Sequence, residues 1–127
     1  MQIEHVALWT DKLERLKEFY VRYFAAVAGE KYCAADHPFE SYFLTFSSGT
    51  RLELMWRPAL ADAAPGREAP GWTHIAISVG SREGVDALTA ELAAAGHSVA
   101  SAPRTTGDGY YESVVLDPDG NRVEITI

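Results

Sequence analysis

The sequence predicts an α+β fold made of two βαβββ modules, and three observations carry that prediction. The chain repeats itself: IEHVALWTD near the start matches WTHIAISVG around residue 74, and LELM at 52–55 matches VEIT at 123–126. Two segments carry apolar residues at helical spacing. Each is followed by short runs of strand-forming residues that are closed by turn sequences.

The first module is read over 1–56. After an opening strand through His5 and Trp9, the residues Leu13, Leu16, Phe19, Tyr20, Tyr23, Phe24 and Val27 recur as the stripe of an amphipathic helix. Asp11 and Glu14 are spaced as a capping box, and Gly29 is the expected stop. Strands are expected at about 30–34, 41–46 and 51–56, with SSGT at 47–50 turning between the last two. The second module, 72–127, repeats the plan. Ser81 is placed to cap a helix with the stripe Val85, Leu88, Leu92 and Ala95, and Gly96 ends it. Strands are expected at about 97–101, 111–116 and 122–127, with DPDGN at 117–121 as the last turn. Between the modules, RPALADAAPGREAPG at 57–71 has the Pro, Gly and Ala content of a linker.

At 127 residues and 13.9 kDa, the chain is expected to form one domain that needs no covalent staples. Its only cysteine is Cys33, so no internal disulfide can form and a reducing cytoplasm is the expected location. The opening MQIEHVALW has no leader-like pattern, and no apolar stretch approaches membrane-spanning length; export and membrane insertion are not expected. A formal charge of −7 and a pI near 5.0 oppose binding to nucleic acid or to an anionic membrane.

Side chains of a strand alternate between faces, so parity assigns each residue to a surface. Val6 and Leu8 share one face, and Ile3, His5, Ala7 and Trp9 share the other. Leu52, Leu54 and Trp56 oppose Arg51, Glu53 and Met55. In the second module Ile75, Ile77 and Val79 oppose Trp72, His74, Ala76 and Ser78, while Val123, Ile125 and Ile127 oppose Arg122, Glu124 and Thr126. The apolar faces are expected to carry the helices. Each remaining face then holds one ligand-type residue: His5, Glu53, His74 or Glu124. His5 and Glu53 are 48 residues apart, His74 and Glu124 50. A lone strand His or Glu is usually a solvated or hydrogen-bonded residue; four at duplicated spacing reverse that expectation. Two imidazoles and two carboxylates form a mixed N/O set that suits Zn, Ni, Co, Mn or Fe. His37 and His97 lack this pattern. Cys33 has no positioned base, and TGDG at 106–109 reads as a turn, not a phosphate cradle. Trp9 and Trp72 share the ligand face and are the aromatics expected to wall a cavity.

The paired modules with this four-residue set resemble the vicinal oxygen chelate superfamily, and within it glyoxalase I. The resemblance covers essentially the whole chain, and DPDGN-x-x-E ending at Glu124 matches the family's C-terminal signature. It implies a cupped mixed sheet with helices on its outer face and a homodimer whose sites form between modules of two chains. It also implies a divalent metal, Ni, Zn or Co before Mn or Fe, held by His5, Glu53, His74 and Glu124. The implied reaction is a lyase or isomerase step on an alpha-oxo-aldehyde thiol adduct or related 2-oxo compound, with enediolate-like charge stabilised at the metal. Glu124 is the implied base, Glu53 serving the opposite face of the substrate, with Trp9, Met55, Trp72, Arg104 and Tyr110 as substrate contacts. Trp9 stands where the glutathione-dependent relatives carry an arginine, which argues against glutathione as the cosubstrate. Dioxygenase or epimerase chemistry, and non-catalytic binding of a small molecule as in the drug-resistance members, are the alternatives on the same scaffold.

Overall fold

The computed structural model describes residues 4–58, 60, 72–107 and 109–127; Ile3, Asp108 and most of the 57–71 linker lie outside the described residues. The chain divides into two compact units, Met1–Ala63 and Ala64–Ile127. Among the described residues they contain two helices and two mixed sheets.

The first unit runs β1 (His5–Trp9), α1 (Leu13–Phe24), β2 (Val27–Ala28), β3 (Tyr32–Cys33), β4 (Glu40–Thr45) and β5 (Arg51–Trp56). Its sheet has the order β1-β5-β4-β2, with β3 also paired to β4. β1 and β5 are parallel, and the other pairs are antiparallel. The second unit runs β6 (His74–Ser78), α2 (Arg82–Ala94), β7 (Val99–Thr105), β8 (Tyr111–Leu116) and β9 (Arg122–Thr126). Its sheet is ordered β6-β9-β8-β7, again with a parallel first pair.

Burial follows the expected parity. α1 buries Leu13, Leu16, Phe19, Tyr20 and Phe24 against β4 and β5, whose Leu44, Leu52 and Leu54 are also buried. α2 buries Val85, Thr89 and Leu92 against a sheet face that includes Ser113, Val115, Val123 and Ile125. Each fully buried Leu or Ile contributes about 1.5–3 kcal/mol, so these faces fix which side of each sheet is left for other work.

Several expected details differ. The capping box at Asp11 and Glu14 does not form: α1 is entered through Lys12, whose backbone N–H donates to Thr10 Oγ1 at 2.9 Å, and no side chain caps the helix. The Glu14 carboxylate is drawn away instead, accepting from Lys17 at 2.6 Å and from the Tyr42 hydroxyl at 3.0 Å and pairing with Lys31 at 3.2 Å. The helix stops at Ala25, in the left-handed region at φ 51°, and not at Gly29, whose N–H donates to Phe43 O on β4. Val27 is therefore a strand residue, 69% exposed. The strand expected at 30–34 is only Tyr32–Cys33. Ser81 does cap α2, accepting from the Gly84 N–H at 3.0 Å. On its stripe Leu88 is half-buried and Ala95 exposed, while Thr89 takes the inner place. The strand expected at 97–101 is instead Val99–Thr105, because the chain is still turning at Gly96 (φ 86°) and the His97 N–H returns to Leu92 O. Ile127, expected on the apolar face, is 45% exposed beyond the last strand.

Thr89 and Ser113 bind each other inside the second unit: Thr89 donates to Val85 O at 2.6 Å, and the two hydroxyls stand 2.7 Å apart. Thr89→Val should leave the Ser113 hydroxyl buried without this acceptor and cost about 1–3 kcal/mol in thermal or denaturant unfolding. The double variant with Ser113→Ala should recover much of the loss. In the first unit Glu14 is held at about 2, first by the hydrogen bond from Lys17 and then by those with Lys31 and Tyr42. A depressed folded-state value contributes stability that is present above the ordinary 4.5 and is lost as pH falls toward 2. Glu14→Gln should accordingly flatten the fall in unfolding stability across that window, modestly, since this carboxylate is half exposed and solvent-screened.

Candidate functional site

Each unit presents one histidine and one glutamate on the sheet face opposite its helix. Register explains how. In β1 and β5, Ala7 is the Cα partner of Glu53 and His5 that of Arg51, so His5 stands one alternation away from Glu53 on the neighbouring parallel strand. In β6 and β9, Ala76 partners Glu124 and His74 partners Arg122, which is the same offset. The outcome is two like pairs. His5 Nε2 is 3.8 Å from Glu53 Oε2, and His74 Nε2 is 3.5 Å from Glu124 Oε2. Both glutamate side chains are only 16% exposed, whereas the histidines are 37% and 42% exposed, so the carboxylates sit lower in each face than the imidazoles.

The second pair's 3.5 Å is close to the spacing of two donors on one tetrahedral cation, and the first pair's 3.8 Å is wider. Two ligands about 2.1 Å from one metal stand roughly 3.0 Å apart at a right angle and roughly 3.4 Å apart at the tetrahedral angle. The donor types, a neutral imidazole and a carboxylate, are those that a divalent transition metal takes. Among the described residues, no group of three or more His, Cys, Asp or Glu side chains is gathered to hold a metal ion; the structure brings the four expected ligands together in twos.

The other imidazole nitrogen is held in both pairs by the preceding residue. His5 Nδ1 meets Glu4 Oε2, and Glu4 Oε1 meets Arg51 Nη2. The hydrogen bond with His5, assisted by the Arg51 guanidinium, keeps the Glu4 carboxyl below its ordinary range. Arg51 lies 4.2 Å over the Phe43 ring, and Phe43 meets the His5 ring edge-on at 5.3 Å between centroids. In the second unit Thr73 Oγ1 stands 3.0 Å from His74 Nδ1.

A sequence model of the Glyoxalase/Bleomycin resistance protein/Dioxygenase superfamily matches residues 2–125. The chain belongs to this superfamily. Solved structures agree on the fold. Glyoxalase I from Zea mays is 21% identical with a TM-score of 0.81, aligning 98% of this chain with 44% of the maize chain. A glyoxalase family protein from Enterococcus faecalis is 23% identical with a TM-score of 0.81, covering 99% of this chain and 97% of its own. The trypanothione-dependent glyoxalase I of Leishmania major is 22% identical with a TM-score of 0.77, covering 99% and 86%. This chain thus spans less than half of the maize protein. No curated protein matches it.

The remaining expected residues lie as follows. Trp9 ends β1 on the His5 side, 46% exposed, with Phe39 edge-on at 6.3 Å and the Arg57 guanidinium 4.8 Å from its ring. Met55, its partner on β5, is half-buried. Trp72 lies just before β6 and is 88% exposed. Tyr110, 56% exposed, closes the turn after β7 with its N–H donating to Thr106 Oγ1 at 3.0 Å. Arg104, expected beyond the strand, is inside β7 and pairs with Glu112 at 3.5 Å. Two register shifts lie before it: Ser101 partners Val114 and Arg104 partners Glu112, three residues on yet facing the same way. An extra residue in a strand re-aims the side chains beyond it; the first shift turns Ser101 and the second cancels it, so Arg104 lies on the face of Glu124, where alternation from Val99 would also place it. Two surface pockets of the first unit, about 320 and about 440 Å³, are lined by α1, Tyr42, Glu40 and their neighbours and not by His5 or Glu53.

Glu4, Arg51, Phe43 and Glu112 were not singled out in the sequence. For Glu112 the signal was weak, because YESVVL places a serine on the helix side and a valine on the ligand side. For Glu4 the available signal was a carboxylate directly before a candidate ligand histidine. Removing one of these supports should be felt locally: Arg104→Ala should leave the Glu112 carboxylate, 12% exposed, without its cation. The expected result is a loss of about 1 kcal/mol or more in unfolding stability, recovered by adding Glu112→Gln.

Proposed function

We propose that the chain is a divalent-metal-dependent glyoxalase I-like lyase or isomerase, with His5, Glu53, His74 and Glu124 as metal donors and a homodimer as the working assembly. The observation that carries this reading is the repeated pair: the same histidine-to-glutamate offset across a parallel strand pair in each unit, with Nε2 to Oε2 separations of 3.8 and 3.5 Å. Membership of the superfamily and the likeness to glyoxalase folds support it.

The substrate class is an alpha-oxo-aldehyde adduct of a thiol, or a related 2-oxo compound. A bound divalent cation supplies stabilisation of negative charge on adjacent substrate oxygens. The chain's own part is to move a proton: Glu124 takes it from the carbon bearing sulfur and hydroxyl and it is returned to the neighbouring carbonyl carbon, while the hydroxyl proton passes to the former carbonyl oxygen, so that a 2-hydroxy thioester results. Glu124 suits that task because Val114 and Ala76 flank it on the adjoining strands and its side chain is largely shielded from water. Glu53 occupies the equivalent place in the first unit and serves the opposite face of the substrate. Trp9, Met55, Trp72, Tyr110 and Arg104 are the proposed contacts for the thiol part.

Metal content of gently purified protein, before and after reconstitution with Ni, Zn or Co, is the first measurement. Stoichiometric uptake is expected, and failure to retain or restore any metal would favour small-molecule binding without chemistry. The reconstituted protein should isomerise hemithioacetals formed with glutathione, trypanothione or another thiol; turnover of none of them would sink the substrate class. Activity requiring ferrous iron and oxygen would indicate a dioxygenase instead. Glu124→Gln keeps an oxygen donor and removes the base, so metal should stay largely bound while turnover falls about a hundredfold or more. His5→Ala and His74→Ala should instead lose metal and activity together.

A further inference from the structure

The two units repeat the histidine, the glutamate and an arginine, but they differ in the residue that touches the histidine's other nitrogen. Arg51 is the Cα partner of His5, and Arg122 is that of His74. Before His5 stands Glu4; before His74 stands Thr73. We propose that Glu4 is a positioning residue that fixes His5 as an Nδ1–H imidazole with its Nε2 lone pair on the side of Glu53, making the first unit's pair the one that captures a divalent cation first. The claim of cation capture rests on the metal-site reading above; the claim about the imidazole does not.

The chemistry of the two partners differs. A glutamate carboxylate at neutral pH only accepts, so the nitrogen it contacts must carry the hydrogen, which leaves Nε2 as the open donor atom. A threonine hydroxyl can donate or accept, so the 3.0 Å contact between Thr73 Oγ1 and His74 Nδ1 is satisfied by either tautomer. Position 4 also has the better anchor. One Glu4 oxygen meets His5 Nδ1 and the other meets Arg51 Nη2, while Arg51 is seated 4.2 Å over Phe43 and Phe43 meets His5 edge-on. The β-ladder partner of Glu53 is this Phe43, whereas the partner of Glu124 is Val114, which gives Arg122 no ring to lie on. Carboxylates that orient ligand histidines in this way typically govern ten- to hundredfold in metal affinity.

The test uses the full chain, labelled at its histidine rings and free of metal. Long-range proton–nitrogen NMR should find His5 with its hydrogen on Nδ1, and His74 distributed between tautomers. In Glu4→Gln the amide can donate as well as accept, so the bias at His5 should weaken, and zinc affinity in chelator competition should fall ten- to hundredfold. Thr73→Glu should move His74 to the Nδ1–H form and raise zinc affinity. A wild-type His5 carrying its hydrogen on Nε2, or a Glu4→Gln protein that binds zinc as wild type does, would overturn the proposal. If zinc binding depends on Glu4 but no hemithioacetal is turned over, the substrate class fails and the positioning role stands. If the wild type takes up no zinc, cation capture and the metal-site reading both fall.

Discussion

The geometry of this chain turns on a parallel strand pair in each unit, β1 beside β5 and β6 beside β9. Period-two alternation gives each of these strands one face for the helix and one face away from it. A residue that ligates must lie on the second face, and burial of Leu52, Leu54, Val123 and Ile125 on the first decides which residues those are. A one-residue slip in either pair would send Glu53 or Glu124 under its helix, a carboxylate in an apolar layer, at a cost comparable to the stability of a small domain. Helix packing therefore sets the positions of the two histidine–glutamate pairs without touching them.

The legible part of the sequence reflects that coupling. Alternation and the internal repeat are long-range, redundant signals, so the two helices and the facing of His5, Glu53, His74 and Glu124 could be read from residue types alone, whereas the parallel pairing of β1 with β5 and of β6 with β9 was not read from them. Signals resting on single hydrogen bonds were less secure. Asp11 and Glu14 have capping-box spacing, yet Thr10 took the Lys12 N–H and Glu14 had two lysines and a tyrosine to satisfy. Gly29 looked like a helix stop, but Ala25 took the left-handed conformation four residues earlier. Local pattern gave way wherever tertiary partners competed for the same polar group.

The second sheet shows the same limit at strand level. Two irregularities in β7 break its alternation, so parity counted from Val99 fails for Ser101 and is restored only at Arg104. Pro103 between them has no N–H to give to the ladder and suits such a segment. The pair Arg104–Glu112 was hidden because it depends on that register, and register across an irregular antiparallel pair is set by backbone geometry more than by residue type.

Repetition of the module constrains some positions far more than others. The histidine, the glutamate and the arginine opposite the histidine recur because each occupies a strand position whose facing the fold dictates, and the repeated offset keeps each histidine within 3.8 Å of its glutamate. The neighbours carry no such burden: Phe43 corresponds to Val114, Trp9 to Ser78 and Glu4 to Thr73, and every one of these changes alters the chemistry around a donor while leaving the backbone pairing as it was. The first unit is richer in rings and in fixed charge, the second in small and β-branched side chains. Two like pairs set in different surroundings need not behave alike. A duplicated scaffold that holds a histidine and a glutamate in fixed positions can therefore give each pair its own environment through the residues beside it.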